Sequence, residues 1–337
     1  MTTPITLLTG FLGSGKTTLM NRLLSAPHER RIGVLVNDFG AINIDARLIV
    51  GVEGATVQLA NGCICCTIRS DLLAAIESLL NGPEPPEALL IEASGISDPA
   101  EIIQTIAHSG LRARTHVDGI LTMIDAEGFD RLRGRSRVLA EQQVRTADLV
   151  ILNKADLVDE TTLQNLEAWT RRQVPQARVL RAVQADVPLA LVWGMASEQG
   201  WQRSLHDHDH DDHAQRFQTW QWHSDSPLDL AAFQRFLDDL PTNVYRLKGL
   251  AYVRDLPDAA LVVQVAGRRA SLSQGQLWDD NHPPGTQLVL IGEGALDVLT
   301  LRTRLEACLA DNIAPTEFRQ WWDGLRQWWR GRRTPES

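Results

Sequence analysis

The chain has 337 residues, 44% of them hydrophobic and 22% charged, which are ordinary proportions for a globular protein. Its net charge of -9 and pI near 5.5 argue against general nucleic-acid binding. No apolar run approaches the roughly 18 residues of a membrane span, and no signal-peptide pattern opens the chain, so we expect a cytoplasmic protein.

The first half of the chain alternates short apolar runs with helical segments. Strands are predicted at 5–9, 32–37, 88–93, 119–125 and 149–154, and helices at 16–25, 71–80 and 140–147. Continuous apolar runs are typical of strands that are buried on both faces of a parallel sheet. Their alternation with helices predicts an α/β domain, a P-loop NTPase with a doubly wound, mainly parallel sheet, over residues 1–192.

The pattern changes in the second half. The segment 193–215 contains the run HDHDHDDH and is predicted to be a His/Asp-rich linker. Strand patterns follow at 216–223, 243–253, 259–266 and 286–292, with helices at about 228–240 and 296–308. This order predicts a smaller α+β domain over 216–310, and a tail rich in Trp and Arg, 311–337, follows it.

The octapeptide GFLGSGKT, residues 10–17, fits the phosphate-loop pattern G-x-x-x-x-G-K-[ST], between a predicted strand and a predicted helix. Main-chain N–H groups of such a loop surround phosphate oxygens, and the helix N-terminus favours an anion. The lysine would neutralise the β- and γ-phosphates, and the threonine after it would ligate Mg²⁺. The predicted nucleotide-binding residues in this loop are Gly10, Gly13, Ser14, Gly15, Lys16, Thr17 and Thr18.

The tetrapeptide NKAD, residues 153–156, follows the apolar run LVIL. A carboxylate at Asp156 can accept hydrogen bonds from both N1–H and the N2 amine of guanine, whereas adenine has no such pair of donors. Asn153 and Lys154 would brace the loop and cover the base. Open α/β sheets bind ligands at the carboxyl ends of their strands, so GTP is the predicted nucleotide, and a solvated turn is the alternative.

The predicted catalytic set consists of Lys16, two carboxylates and a glycine. Glu92 ends the apolar strand LLIE, where P-loop proteins hold Mg²⁺ or its waters, and its length favours contact through water. Gly95 follows in a position to approach a γ-phosphate through its N–H. Asp38, in VNDFG, lies where a switch segment is expected and would position water or metal, or else cap a turn.

Three of the four cysteines, Cys63, Cys65 and Cys66, lie within the segment NGCICCTIR. Thiolates this close together suit one soft or borderline ion such as Zn²⁺, Co²⁺ or Cu(I). The remaining cysteine, Cys308, lies in the other predicted domain, so a site with three protein ligands would keep an exchangeable position. Inert buried thiols and a redox pair are the alternatives.

The motifs GFLGSGKTT, VNDFG, NGCICC, EASGISDP and NKAD together resemble the CobW-type metallochaperone GTPases, relatives of UreG and HypB. The resemblance extends from about residue 4 to about residue 308. It implies GTP hydrolysis coupled to delivery of a transition metal, which Cys63, Cys65 and Cys66 would bind. One departure is Asp38, because the family usually has Glu at this position.

Two features outside these motifs can each be interpreted in more than one way. The run between the domains contains His206, His208, His210 and His213, which would collect Zn²⁺, Ni²⁺, Co²⁺ or Cu²⁺ or belong to a solvated linker. The tail would dock on a partner or a membrane surface, or pack on the protein itself.

The leading prediction is a GTPase that acts as a metal chaperone, with GTP and Mg²⁺ as cofactors and Zn²⁺ or Co²⁺ as the metal. Intrinsic turnover should be slow, since no arginine finger or catalytic glutamine is evident in the sequence. The partner would be a client metalloprotein or an enzyme of metal-cofactor synthesis, and homodimerisation is left open. A P-loop small-molecule kinase and a non-enzymatic metal store are the alternatives.

Overall fold

The computed structural model describes residues 2–25, 31–36, 56–58, 65–192, 217–267, 269–279 and 282–312, and gives the main chain alone for 56–58, 65–71 and 189–190. The chain divides into two compact units. The first comprises Met1–Phe217 with Ala266–Arg269, and the second comprises Gln218–Val265 with Ala270–Ser337. The predicted linker, 193–215, and the tail beyond residue 312 lie outside the described residues.

The first unit is built on a parallel sheet whose described strands follow the order β3-β2-β4-β1-β5-β6-β7. The strands are β1 (Thr3–Gly10), β2 (Ile32–Val36), β3 (Thr56–Gln58), β4 (Ala88–Glu92), β5 (Thr115–Asp125), β6 (Leu149–Asn153) and β7 (Arg178–Arg181). Most side chains of the long apolar runs are buried, as a parallel sheet covered on both faces requires. The predicted fold class is therefore confirmed for this unit.

Helices connect these strands and form a core with the sheet. They are α1 (Lys16–Ser25), α2 (Cys65–Leu80), α3 (Pro99–Ala107), α4 (Gly134–Arg145), α5 (Glu160–Gln173) and α6 (Leu189–Val192). One buried cluster joins α2 and α3 to β1 and β4 through residues such as Ile76, Ile102 and Leu89. Another joins α4 and α5 to β5 and β6 through Val144, Leu163 and Val150. No described helix has the length and apolar character that crossing a membrane requires.

The connections determine where a ligand can bind. The chain leaves β1 toward one edge of the sheet, through β2, and leaves β5 toward the other edge, through β6. The strand order therefore reverses between the neighbours β1 and β5, and open α/β sheets bind ligands in the crevice at such a point. The phosphate loop follows β1 directly, so it lies at this crevice.

The second unit contains an antiparallel pairing and two helices. Its strands, in the order β11-β10-β9-β12-β8, are β8 (Phe217–Ser224), β9 (Val244–Val253), β10 (Leu256–Ala266), β11 (Arg269–Leu277) and β12 (Thr286–Glu293). Strands β12 and β9 pair antiparallel, and α7 (Leu230–Asp238) and α8 (Val298–Glu306) pack on the sheet through Phe233, Leu305 and Leu290. This small α+β unit agrees with the predicted fold class.

Some elements differ from the sequence prediction. Helix α2 begins at Cys65 and not near residue 71, so two cysteines belong to its first turn. Strand β7 was missed because only four residues, RVLR, carry its signal. Strand β11 was missed because its segment, RASLSQGQL, is polar and leaves its side chains partly or fully exposed. An amphipathic pattern cannot appear where no face of the strand is buried.

Candidate functional site

The phosphate loop connects the end of β1 to the start of α1, and its glycines adopt conformations that other residues rarely reach. Gly10, Gly13 and Gly15 have φ values of 140°, 77° and 102°. A Cβ atom on Gly10 would lie 2.3 Å from the carbonyl oxygen of Met123, and one on Gly15 would lie 2.3 Å from Nδ2 of Asn153. The loop therefore needs glycine at both positions, and it has the backbone of a phosphate cradle.

Lys16 and the hydroxyl residues after it lie at the base of this loop. Lys16 is 7% exposed, and its ammonium donates to the carbonyl oxygens of Gly10, at 2.9 Å, and Phe11, at 3.5 Å. Thr17 is half-buried and Thr18 is exposed. The first-turn N–H groups of a helix have no partner within the helix, so the start of α1 offers donors to an anion. These residues fit a bound phosphate.

Asn153 ties the phosphate loop to a second loop. Its Nδ2 donates to the main-chain carbonyl of Ser14 at 2.9 Å, and its Oδ1 accepts from the N–H of Ala185 at 2.7 Å. The side chain is buried, as is that of Ser14. The amide thus uses both its donor and its acceptor to hold these two loops together.

Lys154 and Asp156 occupy the turn that follows. Lys154 has a left-handed backbone, with φ of 60°, and its ammonium contacts the Asp125 carboxylate at 2.6 Å. The other oxygen of Asp125 accepts from the N–H groups of Glu127 and Gly128, at 3.1 Å each. Asp156 is exposed at the surface, where its carboxylate is available to a base. Asp125 therefore holds Lys154, a role that was not predicted for it.

The loop after β7, residues 182–186, belongs to the same site and was not predicted. The N–H of Ala155 donates to the carbonyl of Ala182 at 3.1 Å, which attaches this loop to the NKAD turn. Gln184 and Ala185 both have positive φ, 49° and 58°, although neither is glycine. Such strain is typical of functional loops. The loop has no glycine and no recognised motif, and strand β7 before it was itself missed, so the sequence offered no signal for it.

The segment after β4 approaches the phosphate loop from the other side. Glu92, 3% exposed, ends β4 and pairs in register with Leu8 of β1. A Cβ on Gly95 would lie 2.7 Å from the side chain of Leu12 and 2.8 Å from its main-chain nitrogen. Gly95 thus packs against the phosphate loop itself, which fits its predicted approach to a γ-phosphate.

The predicted metal ligands lie mostly outside the described residues. Asp38, Cys63 and the histidines of the linker, His206, His208, His210 and His213, are among the residues that are not described. Cys65 and Cys66 are the first two residues of α2, and only their main chain is described. Within the described part of the chain, no group of three or more His, Cys, Asp or Glu side chains could hold a metal ion.

The described strands show only where the chain enters and leaves the segment that contains the cysteines. Val36, the last residue of β2, pairs with both Glu92 of β4 and Gln58 of β3. Asp38 follows Val36 by two residues, and the segment that contains Cys63 joins the end of β3 to the start of α2. The carboxyl ends of β2, β3 and β4 therefore lie at the same end of the sheet. The predicted switch carboxylate follows β2 in the sequence, and the cysteine segment follows β3.

Cys308 has a different environment. It belongs to the hydrophobic core of the second unit, where it is 4% exposed, and its thiol donates to the carbonyl of Arg304 at 3.2 Å. Burial raises the pKa of this thiol to about 11, against the opposing charge of Arg304. The thiol is neutral at physiological pH, so Cys308 has the character of a structural side chain.

Residues 4–181 match the family described as CobW/HypB/UreG, nucleotide-binding domain, and residues 217–309 match the cobalamin synthesis protein cobW C-terminal domain. The chain belongs to the CobW family. The resemblance stated from the sequence motifs is thereby confirmed, and the two matches fall on the two kinds of sheet that the structure contains.

Individual relatives extend over most of this CobW-family chain. Zinc chaperone CobW of Sinorhizobium sp is 30% identical over 346 residues, covering 90% of this chain and 96% of that protein. Zinc chaperone YjiA of Escherichia coli is 31% identical over 301 residues, covering 86% of this chain and 93% of that protein. The crystal structure of Zn(II)-bound YjiA GTPase from E. coli has 26% identity and a TM-score of 0.44, covering 91% of this chain and 99% of that one.

Proposed function

We propose that this protein hydrolyses GTP and uses the bound nucleotide to control the binding and release of Zn²⁺, which it delivers to a client metalloprotein. The observation that carries the nucleotide part is Asn153, which bonds to both the phosphate loop and the loop that contains Ala185. Membership of the CobW/HypB/UreG family supports GTP hydrolysis. The names of the curated relatives, zinc chaperones, support zinc as the metal.

In this proposal, the residues of the crevice divide the work. Lys16 and the N–H groups of the phosphate loop neutralise phosphate charge, and Asp156 accepts from the guanine edge. Thr17 and Glu92 would hold Mg²⁺, which stabilises the charge that develops on the phosphates. Gly95 senses the γ-phosphate, because its N–H belongs to the segment that packs on the phosphate loop. Positioning and charge stabilisation are the whole contribution, so turnover without a partner is slow.

Metal binding is proposed to follow the nucleotide state. Cys63, Cys65 and Cys66 supply thiolates from the segment that follows β3. Asp38 follows β2 by two residues, Glu92 ends β4, and these three strands end at the same end of the sheet. A bound γ-phosphate that orders the segments after these strands would complete the thiolate site, and loss of the γ-phosphate would loosen the site. Three thiolates leave one coordination position for a ligand from the client.

The central experiment measures Zn²⁺ affinity by competition with a chromophoric chelator, with a non-hydrolysable GTP analogue, with GDP and without nucleotide. We expect tighter binding with the GTP analogue than with GDP. Equal affinities in all three conditions would refute the coupling. Co²⁺, measured in the same way, tests the choice of metal, because tighter nucleotide-dependent binding of Co²⁺ would replace zinc in the proposal.

Two cysteine variants identify the ligands. Cys65→Ala with Cys66→Ala should remove the tight site while GTP binding is retained. Cys308→Ala is the control, since it makes the same change at a buried and neutral thiol, and Zn²⁺ affinity should stay the same. Loss of the tight site in the control, or its survival in the double variant, would contradict the assignment.

The two alternatives give distinct results. A small-molecule kinase would show no preference for guanine and would transfer phosphate to an added acceptor. A metal store would take up Zn²⁺ through the histidine run without turning over GTP. Turnover of GTP and of ATP, followed both as phosphate release and as transfer to an added acceptor, separates all three.

A further inference from the structure

A completely buried glutamine on α4 connects to the segment that packs on the phosphate loop. Gln143 has 0% exposure, whereas its neighbour on the helix, Gln142, is exposed. Glutamine is mostly found at protein surfaces, and a buried amide is normally held by hydrogen bonds. Its buried position therefore calls for a structural reason.

The contacts of Gln143 all lie within the first unit. Its Nε2 donates to the carbonyl oxygens of Gly95 and Ser97, at 3.1 Å each. Two acceptors identify the nitrogen end of the amide, because both of its protons are used. The main-chain carbonyl of Gln143 accepts from the hydroxyl of Thr122 at 3.1 Å. The side chain also lines a cavity of about 80 Å³ whose wall includes Leu12 of the phosphate loop.

The segment that Gln143 holds is short, and among the described residues its other hydrogen bonds lie within it or join it to the next helix. The N–H of Ser97 donates to the carbonyl of Ser94 at 2.9 Å, and the N–H of Ile96 reaches the Ser94 hydroxyl at 3.5 Å. Asp98 caps α3 by accepting from the N–H of Ala100 at 2.9 Å. Gln143 is thus a tie from a rigid helix to the middle of this segment.

Gly95 needs such a tie for a steric reason. The close approach of Leu12 excludes a Cβ at this position, so the residue must be glycine. Glycine has more backbone freedom than any other residue, and a side chain cannot restrict it. A hydrogen bond on the Gly95 carbonyl supplies the missing restriction from outside. The orientation of the peptide group that joins Gly95 to Ile96, and through it the backbone conformation at Gly95, then depends on Gln143.

We propose that Gln143 is a positioning residue that fixes the main chain of Gly95 for the γ-phosphate, and that it thereby sets the preference of the site for GTP over GDP. This inference rests on the proposed function, since it assumes that Gly95 meets the γ-phosphate. Gln143 does not touch the nucleotide in this proposal. It acts through the two carbonyl groups that it holds.

The test is Gln143→Met, which keeps an unbranched side chain of similar length and removes both donors. The dissociation constants for GDP and for a non-hydrolysable GTP analogue are measured by titration calorimetry. We expect the affinity for the GTP analogue to fall by about tenfold, the effect of a hydrogen bond of typical net strength, while the affinity for GDP stays within about twofold. A purely structural role would weaken both alike or neither.

Two controls accompany this variant. Gln142→Met makes the same chemical change one residue away at the surface. Thr122→Val removes a buried hydrogen bond to the carbonyl of Gln143 and leaves its side-chain amide in place. Both should keep the wild-type ratio of the two affinities. A Thr122→Val ratio that changes as much as that of Gln143→Met would overturn the proposal.

A shorter variant covers the case in which Gln143→Met does not fold. Gln143→Asn retains the amide but is too short to reach both carbonyl groups. Its ratio of GTP-analogue affinity to GDP affinity should therefore lie below that of wild type and, where Gln143→Met can be measured, above that of Gln143→Met. If the wild type hydrolyses GTP but every folded Gln143 variant keeps the wild-type ratio of GTP-analogue to GDP affinity, the inference is overturned. Failure of the wild type to bind GTP would instead overturn the proposed function.

Discussion

The side-chain amide of Asn153 donates a 2.9 Å hydrogen bond to the main-chain carbonyl of Ser14, 139 residues earlier in the chain. The same side chain accepts from Ala185. The base-side loops and the phosphate loop are therefore held by one residue. A change at Asn153 should affect the binding of any nucleotide, whatever its number of phosphates.

We predict that Asn153→Leu weakens GTP and GDP binding to similar extents. A buried group that loses its hydrogen-bond partner costs about 1–3 kcal/mol, which corresponds to roughly 5- to 150-fold in affinity. Titration of both nucleotides measures this. Asn81→Leu is the matched control, because Asn81 is exposed and bonds to Arg114 on the surface. A selective loss of GTP binding alone would contradict the bracing role.

We predict that Gly15→Ala abolishes nucleotide binding while the fold is kept. The new methyl group would meet Nδ2 of Asn153 at 2.3 Å, and the φ of 102° is unfavourable for alanine. Gly110→Ala serves as the control, since a Cβ at Gly110 has nothing within 4 Å. Titration with a fluorescent nucleotide measures the loss of binding, and circular dichroism measures whether the fold is kept. Normal binding by Gly15→Ala would show that the loop can move aside.

We predict that Asp156→Asn changes the base preference from guanine to xanthine. The carboxylate accepts from the two donors of guanine, whereas an amide presents a donor that suits the carbonyl at position 2 of xanthine. The affinity for GTP should fall by about 10- to 100-fold, as expected for the loss of charge-assisted hydrogen bonds, and that for XTP should rise. Wild-type protein that binds ATP and GTP equally would refute guanine recognition by Asp156.

We predict that the Cys308 thiol of the folded protein resists alkylation by iodoacetamide at pH 8. Only the thiolate reacts, and burial raises the pKa of this thiol to about 11. Because the pKa is raised on folding, the neutral thiol favours the folded state below the unfolded pKa, and this contribution is lost as pH rises toward 11. Mass spectrometry of tryptic peptides, with and without urea, measures the protection. Equal labelling in both conditions would disprove it.

We predict that Asp255→Asn stabilises the second unit at neutral pH. Burial raises the pKa of Asp255, and the charge of Asp229 raises it further, against Arg254 and the N–H of Leu230. A raised carboxyl pKa means that ionisation on going from acid to neutral pH costs stability in the folded state. The variant should therefore melt above wild type at pH 7 and close to it near pH 3.

The control for this prediction is Asp258→Asn, on the same hairpin. Asp258 is exposed, so removal of its charge should leave the melting temperature unchanged at both pH values. Differential scanning calorimetry resolves the transitions. A lower melting temperature for Asp255→Asn at pH 7 would show that the charge is favourable, which would reverse the sign.

Much of the first unit could be predicted because its signals are local. The apolar runs at β1, β4 and β6 are long enough to identify buried parallel strands. The phosphate loop was recognisable because phosphate binding demands glycine at fixed positions, and Gly10 and Gly15 do lack room for a side chain. Asn153 was expected to act as a brace for the same reason, since its position follows from the motif.

The remaining parts depend on tertiary contacts that leave no local pattern. Gln143 and Gln142 are identical in type and adjacent, yet one is buried and one is exposed, and only the packing of α4 distinguishes them. Gln184 and Ala185 adopt positive φ without glycine, because Asn153 and the neighbouring backbone hold their loop. The early start of α2 was hidden since the segment CCTIRS contains β-branched residues and no capping signal.

The topology of the parallel sheet connects nucleotide concentration with the resistance of the protein to proteolysis. Among the described strands, β1 pairs with β4 and β5, which come from far along the chain, so that Leu8 lies beside Glu92 and Leu121. The cradle therefore exists only after distant segments have come together, a slow process for such non-local topologies. A ligand that binds only the folded chain raises its stability by mass action. A cell that is depleted of guanine nucleotides should hold this protein in a form that proteases degrade more readily.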